Sequence, residues 1–371
     1  MILVYIIIGL LVIYCVLILY YHAGWREIKP FSPVNRELTT KISVIIAARN
    51  EEENIGSLLT SLENQSYAPH LFEVIVVDDN STDKTAAIVN GFPFAKLIQL
   101  RFDNINSFKK KAIETGIKAA KGDLIVTTDA DCIANENWLK TIAAYKEETN
   151  AVFIAAPVVM QYNGTLLQTF QSLDFLVLQG ITAASVEKRI HNMCNGANLA
   201  YERKAFYEVN GFTNIDHIAS GDDMLLMQKI AQRFPGGIFY LLSKEAIVKT
   251  QSAKTWKEFF NQRIRWASKA TNYNDIKIFS VLFLVYFFNC SLLALWIAGF
   301  WMHTLWWAFA GVLVAKTLVE LFFLYPVARF YNKKNLLRLF PLFQPLHIVY
   351  TIIAGSLGTF GNYKWKGREV K

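Results

Sequence analysis

The stretch Leu124-Ile125-Val126-Thr127-Thr128-Asp129-Ala130-Asp131 decides the fold, because an apolar run ends there in two carboxylates spaced one apart. Acidic side chains that directly follow a buried strand are typical of the ligand-binding edge of an α/β sheet. Two carboxylates in this spacing can face one divalent cation, and their hard oxygens suit Mg²⁺ or Mn²⁺. Because Mg²⁺ rarely binds in an all-protein cage, the pattern predicts that phosphate oxygens of a ligand complete its coordination shell.

Upstream of this stretch, short apolar runs alternate with helical patterns. Such alternation predicts a Rossmann-like α/β fold, with a parallel sheet that carries helices on both faces. The predicted strands are 42–47, 72–77, 97–100 and 124–128, and the predicted helices are 51–62, 82–89 and 109–120.

Polar clusters stand where three of these apolar runs end. They are Arg49-Asn50-Glu51, Asp78-Asp79-Asn80-Ser81 and Asp129-Ala130-Asp131. Since the carboxyl ends of parallel strands meet at one edge of a sheet, we expect the three clusters to lie together around one ligand.

The chain is rich in apolar residues, with 53% hydrophobic and only 18% charged residues among its 371. Residues 1–21 carry no charge and lack a cleavage signal, which predicts an uncleaved transmembrane anchor. Residues 278–315 form an uncharged block of 38, which predicts two spans that turn near 301–303. Residues 339–363 are apolar but interrupted by Pro and Gly, so they span, lie flat or re-enter; we expect a re-entrant segment.

The distribution of basic residues predicts the membrane orientation. They follow the first apolar segment and none precedes it, which predicts that residues 22–277 face the cytoplasm at the inner membrane of the cell. The net charge of +8 indicates attraction to anionic headgroups and a basic path for phosphate, and no motif predicts a nucleic-acid partner. The predicted regions are an N-terminal anchor (1–22), an α/β domain (39–274), a C-terminal membrane region (278–363) and a basic tail (364–371).

Several ordered motifs resemble those of a known family. They are the segments 43–52 and 76–83, Asp129-Ala130-Asp131, Asp223 within Gly221-Asp222-Asp223, and Gln262, Arg265 and Trp266 of a QxxRW element. In these motifs the chain resembles the membrane-associated family 2 inverting glycosyltransferases, which have the GT-A fold. The chain departs from the family at Ala47, where Pro is commoner, and at Ala112-Ile113-Glu114, where Ala-Leu-Asn is usual.

The resemblance implies a nucleotide-sugar site at the predicted sheet edge. Ala48, Arg49 and Glu51 would line the nucleoside pocket, and Asp79 would bond the base. Lys109 matches a basic position of the donor site.

The resemblance also implies a metal-dependent, inverting reaction. Asp129 and Asp131 would hold Mg²⁺ or Mn²⁺ together with the donor, with Asp131 the more direct ligand. Asp223 would be the general base, and Asp222 stands where the family usually has Glu. The alternative for Asp222 and Asp223 is that they are ordinary first-turn acids, which the helix dipole favours.

The QxxRW element has two interpretations, and both can hold together. Gln262, Arg263, Arg265 and Trp266 follow a helical run, where guanidinium groups can bind a diphosphate and the indole can stack on a sugar or nucleoside. The same residue types are typical of an interfacial anchor that precedes a membrane span.

These motifs predict transfer of one sugar from a nucleotide-sugar, expected to be a UDP-sugar, to a lipid or lipid-linked acceptor of the cell envelope. A processive polysaccharide synthase remains an alternative, because QxxRW is common in such enzymes, although few predicted spans are available to line a polymer channel. A catalytically silent nucleotide-sugar-binding subunit is the alternative from another class. The intact Asp131, Asp223 and Arg265 argue against that alternative.

Overall fold

The protein packs into two compact units. The computed structural model describes residues 2–33, 36–100, 108–191, 193–218, 220–268, 275–360, 363–365 and 368–370. The helical unit comprises Met1–Glu27, Tyr162–His191 and Ser252–Tyr363, and the sheet unit comprises Ile28–Gln161, Asn192–Gln251 and Lys364–Lys371. This division differs from the continuous domain 39–274, since two of its segments pack with the apolar helices, and residue 274 lies outside the described residues.

The helices and strands are numbered along the chain. The helices are α1 (Ile2–Glu27), α2 (Ile55–Glu63), α3 (Thr85–Asn90), α4 (Phe108–Ala119), α5 (Trp138–Thr149), α6 (Leu166–Glu187), α7 (Arg203–Glu208), α8 (Met224–Arg233), α9 (Trp256–Ala267), α10 (Ile276–Ala298), α11 (Thr304–Phe330) and α12 (Phe340–Phe360). The strands are β1 (Ile42–Ala48), β2 (Phe72–Asp78), β3 (Ala95–Gln99), β4 (Leu124–Asp129), β5 (Phe153–Ala155), β6 (Val158–Met160), β7 (Leu199–Glu202), β8 (Ile238–Tyr240), β9 (Val248–Thr250), β10 (Tyr363–Trp365) and β11 (Arg368–Val370). Short 3-10 helices lie at Pro69–Leu71 and Lys334–Leu339.

The described residues of the sheet unit form a seven-stranded sheet in the order β3-β2-β1-β4-β7-β5-β8. β1, β2, β3 and β4 are mutually parallel, which confirms the predicted parallel half and its alternation with helices. Their Val and Ile side chains are buried on both faces of the central strands, as a sheet covered by helices requires. β7 runs antiparallel to both β4 and β5, so the second half of the sheet is mixed.

The strand register aligns the predicted ligand-binding edge. Ala48 at the end of β1 pairs with Asp78 at the end of β2, and Ala47 pairs with Asp129 at the end of β4. The loops after these three strands therefore leave the sheet at the same edge. The antiparallel β7 begins there as well, so the segment 195–198 that precedes it reaches this edge.

Helix α4 packs closely on the sheet, and this contact positions its first turn. At Gly116 an added Cβ would lie 2.5 Å from Ile45 Cγ2 of β1, so this approach requires glycine. Lys109 and Lys110 lie in the first turn of α4, at the ligand-binding edge of the sheet.

The helical unit contains four segments, among the described residues, that are long and apolar enough to cross a membrane. They are Val4–Glu27, Ile276–Ala298, Thr304–Phe330 and Lys334–Gly358. The predicted division of 278–315 is confirmed, because α10 ends at Ala298 and α11 begins at Thr304. The chain is therefore membrane-associated, with an apolar N-terminal helix and apolar C-terminal helices.

A buried polar cluster connects three of these helices. Lys316 Nζ of α11 donates to Glu320 Oε1 and to Gln344 Oε1 of α12, at 2.7 Å each. The hydroxyl of Tyr14 in α1 and the amide of Gln344 both donate to the Glu320 carboxylate. Because charges in hydrocarbon need partners, this cluster fixes how α1, α11 and α12 pack.

Helix α12 is continuous through Pro345, although the sequence predicted interruptions there. Near its end, an added Cβ at Gly358 would lie 2.6 Å from Ala267 Cβ of α9, so the two helices are in close contact. This contact ties the end of α12 to a helix that the sequence predicts on the cytoplasmic side. The membrane topology of α12 remains a prediction, and the side chains of the basic tail lie outside the described part of the chain.

Candidate active site

The loop after β1 is fastened to the loop after β2. Arg49 Nη1 donates to the carbonyl oxygens of Asp79, at 2.6 Å, and Asn80, at 3.2 Å. Asn50 and Asn80 both adopt the left-handed region, with φ of 50° and 52°, which Asn tolerates better than most residues. The amide of Asp79 donates to the carbonyl of Ala48, so these predicted nucleoside-pocket residues are neighbours.

Further hydrogen bonds extend this connection. The amide of Glu51 donates to Thr85 Oγ1 at 2.8 Å, and the amide of Glu52 donates to Asp83 Oδ2 at 3.1 Å. Burial alone would raise the pKa of the Asp83 carboxyl, but hydrogen bonds from Thr85 and Glu52 outweigh burial and lower it. These hydrogen bonds hold the loop after β1 and the loop after β2 together at the carboxyl edge of the sheet.

Lys109 bridges the two acidic motifs. Its Nζ lies 2.7 Å from Asp129 Oδ1 and 3.1 Å from Asp222 Oδ2. The three side chains are 24%, 35% and 12% exposed, so the bridge is sheltered rather than solvated. Burial alone would lower the pKa of Lys109, but Asp129 and Asp222 outweigh it and raise the pKa, which keeps the ammonium charged. The Asp129-Ala130-Asp131 motif and the acidic pair before α8 therefore meet at Lys109.

Asp223 caps helix α8 and is oriented by two backbone amides. Its Oδ1 accepts from the amide of Met224 at 2.7 Å, and its Oδ2 accepts from the amide of Gly196 at 3.1 Å. An added Cβ at Gly196 would lie 3.3 Å from Lys109 Nζ and 3.4 Å from Asp222 Oδ2. The loop before β7 therefore approaches both carboxylates closely, as small residues at 196–197 permit.

Asp131 lies beside the small sheet formed by β6 and β9. Thr250 Oγ1 of β9 donates to Asp131 Oδ1 at 3.4 Å, and the Cys132 thiol lies 3.7 Å from the same oxygen. Burial and the Asp131 carboxylate raise the pKa of the Cys132 thiol well above its usual value, so a neutral, buried thiol is expected.

The donor set at this edge fits a cation that takes few protein ligands. Two carboxylates of the Asp-x-Asp type supply hard oxygens, which suit Mg²⁺ or Mn²⁺. Within the described residues, no group of three His, Cys, Asp or Glu side chains could form an all-protein cage. The set therefore fits a cation whose shell is completed by phosphate oxygens and water.

The QxxRW residues belong to the helical unit. All four lie in α9, and Gln262, Arg265 and Trp266 are half-buried. Arg263 is buried, and its guanidinium donates to Asp174 of α6 and to Gln262 Oε1. Arg263 is therefore paired within the helical unit, and its contact with a diphosphate stays a prediction.

The sequence did not predict the contacts that two residues make at this site. Lys110 is buried and donates to the carbonyls of Ile215, Ile218 and Ser220, which fixes the segment before Gly221. A run of three lysines is usually a solvated face, so only the packing of α4 identifies Lys110 as an anchor. Thr250 lies far along the chain from Asp131 and no pattern linked the two.

The sheet order and the polar edge define the GT-A class of α/β folds. A solved mannosyltransferase, PcManGT from Pyrobaculum calidifontis in complex with GDP-Man and Mn²⁺, superposes with a TM-score of 0.61. The match covers 96% of this chain and 97% of that one at 18% identity, which establishes a shared fold.

Residues 43–209 match the Glycosyl transferase family 2 model. The match begins in β1 and ends just after α7, so Asp222, Asp223 and the QxxRW element lie beyond it.

Curated relatives are similar over longer stretches. A probable glycosyltransferase of Bacillus subtilis, YdaM, is 28% identical over 267 residues, which are 70% of this chain and 60% of YdaM. The poly-beta-1,6-N-acetyl-D-glucosamine synthase of Staphylococcus epidermidis is 24% identical over 253 residues, 63% of this chain and 58% of the synthase. The matches thus span about 60% of the length of these relatives.

Proposed function

We propose that the protein is an inverting glycosyltransferase that moves one sugar from a nucleotide-sugar, a UDP-sugar by preference, to a lipid or lipid-linked acceptor. The observation that carries this proposal is the Lys109 bridge between Asp129 and Asp222. The bridge supports a single reaction centre, because the Lys109 ammonium contacts both Asp129 on the donor side and Asp222 of the acidic pair before α8. The match of residues 43–209 to the Glycosyl transferase family 2 model supports the same assignment.

The chemistry requires one proton acceptor and one binding site for a leaving diphosphate. An acceptor hydroxyl oxygen forms a bond to the anomeric carbon while the bond from that carbon to the diphosphate breaks on the opposite face. Asp223 takes the hydroxyl proton, and the amides of Gly196 and Met224 hold its carboxylate in place. A positioned general base contributes about 10²–10⁴ in rate.

Asp131 and Asp129 would hold Mg²⁺ or Mn²⁺, which when bound offsets the charge that develops on the diphosphate. Lys109 already neutralises part of the Asp129 charge, which supports Asp131 as the more direct ligand. The joined loops after β1 and β2, which carry Arg49, Glu51 and Asp79, would bind the nucleoside. The buried Asp79 carboxylate would contact the base.

The helical unit supports a lipid acceptor and a single transfer. Its apolar helices suit a protein that meets its acceptor at a membrane, and we propose the cytoplasmic face of the cell membrane. The polar side chains of Lys316, Glu320 and Gln344 pair with one another and are almost fully buried, so they are not available to bind a passing polymer.

A processive synthase is the second candidate, because the chain is similar to a poly-N-acetylglucosamine synthase. Product size distinguishes the two, since one transfer adds a single sugar and a synthase yields a ladder. A catalytically silent subunit would bind a donor without releasing nucleoside diphosphate.

The test is a screen of nucleotide-sugars for nucleoside diphosphate release, in membranes with and without extracted lipid. We expect release with one donor class, stimulation by lipid, and a product one sugar larger than the acceptor. Asp223→Asn membranes are the control for release by other enzymes. If the protein binds a donor but releases no diphosphate with any lipid extract, the silent-subunit alternative replaces this proposal.

A further inference from the structure

We propose that the segment 331–339, termed the α11–α12 turn, binds the phosphate of an anionic membrane lipid, with the Lys333 ammonium at the centre of the site. The residues of this site all belong to the helical unit. The inference is independent of the proposed reaction, since none of these residues has a role in it.

The turn begins with a helix-capping motif. Asn332 adopts the left-handed region, with φ of 56°, which Asn tolerates better than most residues. The amide of Lys333 donates to the carbonyl of Ala328 at 2.8 Å. The amide of Asn332 donates to the carbonyl of Arg329 at 3.3 Å. This pairing is the Schellman motif. It satisfies carbonyl groups that would otherwise repel an anion at the end of α11, and it turns the chain at Lys333.

The turn is held on one face of α6. The Tyr331 hydroxyl donates to Gln179 Oε1 at 3.4 Å, and Lys333 Nζ donates to Ser172 Oγ at 2.9 Å. Gln179 and Ser172 lie about two helical turns apart in α6, so they share a face of that helix. Because Tyr331 and Ser172 are buried, these contacts fix the position of the Lys333 ammonium.

Lys333 is sheltered by its surroundings but stays charged. Its Nζ lies 4.6 Å from the centroid of the Tyr162 ring, an attractive contact for a cation. Burial lowers the pKa of Lys333 to about 8, so the ammonium form still predominates at neutral pH. Charges attract more strongly where water is partly excluded, so a phosphate gains more from this ammonium than from an exposed one.

The neighbouring sequence adds positive charge. Arg329, Lys334 and Arg338 flank Lys333 along the chain, and all three are exposed. The sequence has no Asp or Glu from residue 321 to residue 368. No carboxylate of this stretch therefore competes with a phosphate for the basic side chains.

The position of the turn identifies the anion as a lipid phosphate. The turn follows α11 and overlaps the start of Lys334–Gly358, and both are long and apolar enough to cross a membrane. It therefore lies where α11 leaves the apolar layer. On α11, Leu318, Phe322 and Tyr325 are 61%, 54% and 53% exposed, and their spacing places them in one row. The exposed Arg329 continues this row, so acyl chains can pack along α11 while the phosphate reaches the turn.

The test measures lipid binding to the full-length protein by native mass spectrometry after purification in detergent. The probes are phosphatidylglycerol and phosphatidylcholine with identical acyl chains, and we expect the wild type to retain one phosphatidylglycerol in preference. Lys333→Gln should weaken phosphatidylglycerol binding about tenfold or more, the size expected for one hydrogen bond to a charged group. Lys333→Arg keeps the charge and should retain most of the binding.

Lys334→Gln is the matched control, because it removes the same charge from an exposed side chain one residue later. It should weaken binding about twofold or less, since exposed charges are screened. Ser172→Ala removes only the hydroxyl that holds Lys333 and should weaken binding about two- to tenfold, which tests the site if Lys333→Gln does not fold. Phosphatidylglycerol should also raise the Tm of the wild type more than that of Lys333→Gln.

The proposal is overturned if Lys333→Gln and Lys334→Gln weaken phosphatidylglycerol binding equally, because the attraction is then a diffuse effect of net charge. Equal retention of both lipids by the wild type would overturn it as well. If inorganic phosphate displaces phosphatidylglycerol from the wild type, and this displacement depends on Lys333, the site takes a free anion and the assignment to a lipid is wrong.

Discussion

Replacement of Asp223 by Asn separates the catalytic from the structural role of this residue. The carboxylate accepts from the amides of Met224 at 2.7 Å and Gly196 at 3.1 Å. Asn has one acceptor oxygen, so one of these hydrogen bonds is lost, which costs about 0.5–1.5 kcal/mol. The cap itself is retained, because Asn and Asp are equally good at this position. The expected drop in Tm is therefore small, at most about 1–6 °C.

The expected effect on turnover is much larger. Asn cannot accept the acceptor proton, so kcat should fall by about 10²–10⁴, which corresponds to about 2.7–5.4 kcal/mol. Donor affinity should survive, since Asp223 does not bind the donor in this proposal. The assay combines diphosphate release, donor titration and thermal unfolding on the same preparation.

Asp222→Asn is the matched control, one residue earlier. It weakens the 3.1 Å pair with Lys109 but leaves Lys109 bound to Asp129 at 2.7 Å. We expect a loss of turnover of about tenfold, which corresponds to about 1.4 kcal/mol and lies near the low end for one hydrogen bond to a charged group. An inactive Asp222→Asn beside an active Asp223→Asn would show that the base is assigned one residue too late. An Asp223→Asn variant with most of its turnover would refute the general-base assignment.

Three other predictions concern the cation, acid stability and the tail. Asp131→Ala should abolish transfer and donor binding together, and Asp129→Ala should be milder; full activity in chelator-treated, metal-free samples would contradict both. Burial alone raises the pKa of the Glu147 carboxyl, but hydrogen bonds from the backbone of residues 39–40 outweigh it and hold the pKa below 4.5. The stabilisation is present above that value and lost as pH falls through the lower folded pKa, so the destabilisation caused by Glu147→Gln should shrink as the pH falls below about 4.5, as thermal unfolding can measure. A Cys at Glu369, with the native cysteines replaced, should resist an impermeant thiol reagent in intact cells; labelling from outside would mean that α12 crosses the membrane completely.

The sequence determined the local elements and the edge at which they end. Runs of Val and Ile predicted β1, β2 and β4 within a residue or two of their observed ends, because a short, continuous apolar run is typical of a strand that is buried on both faces. The polar residues that follow them had to share an edge once the strands were parallel. Apolar length alone located the membrane helices, because the bilayer sets the number of residues required.

Only the tertiary structure decided which charged groups meet. Lys109 lies 20 residues from Asp129, and Arg263 lies 89 residues from Asp174, and no periodic pattern relates either pair. Segments 162–191 and 252–268, which the sequence placed within the predicted α/β domain, pack with the apolar helices in the tertiary structure. The physical reason is that hydrophobic patterning reports the burial of each element, whereas the partner of a buried charge depends on how separate elements pack.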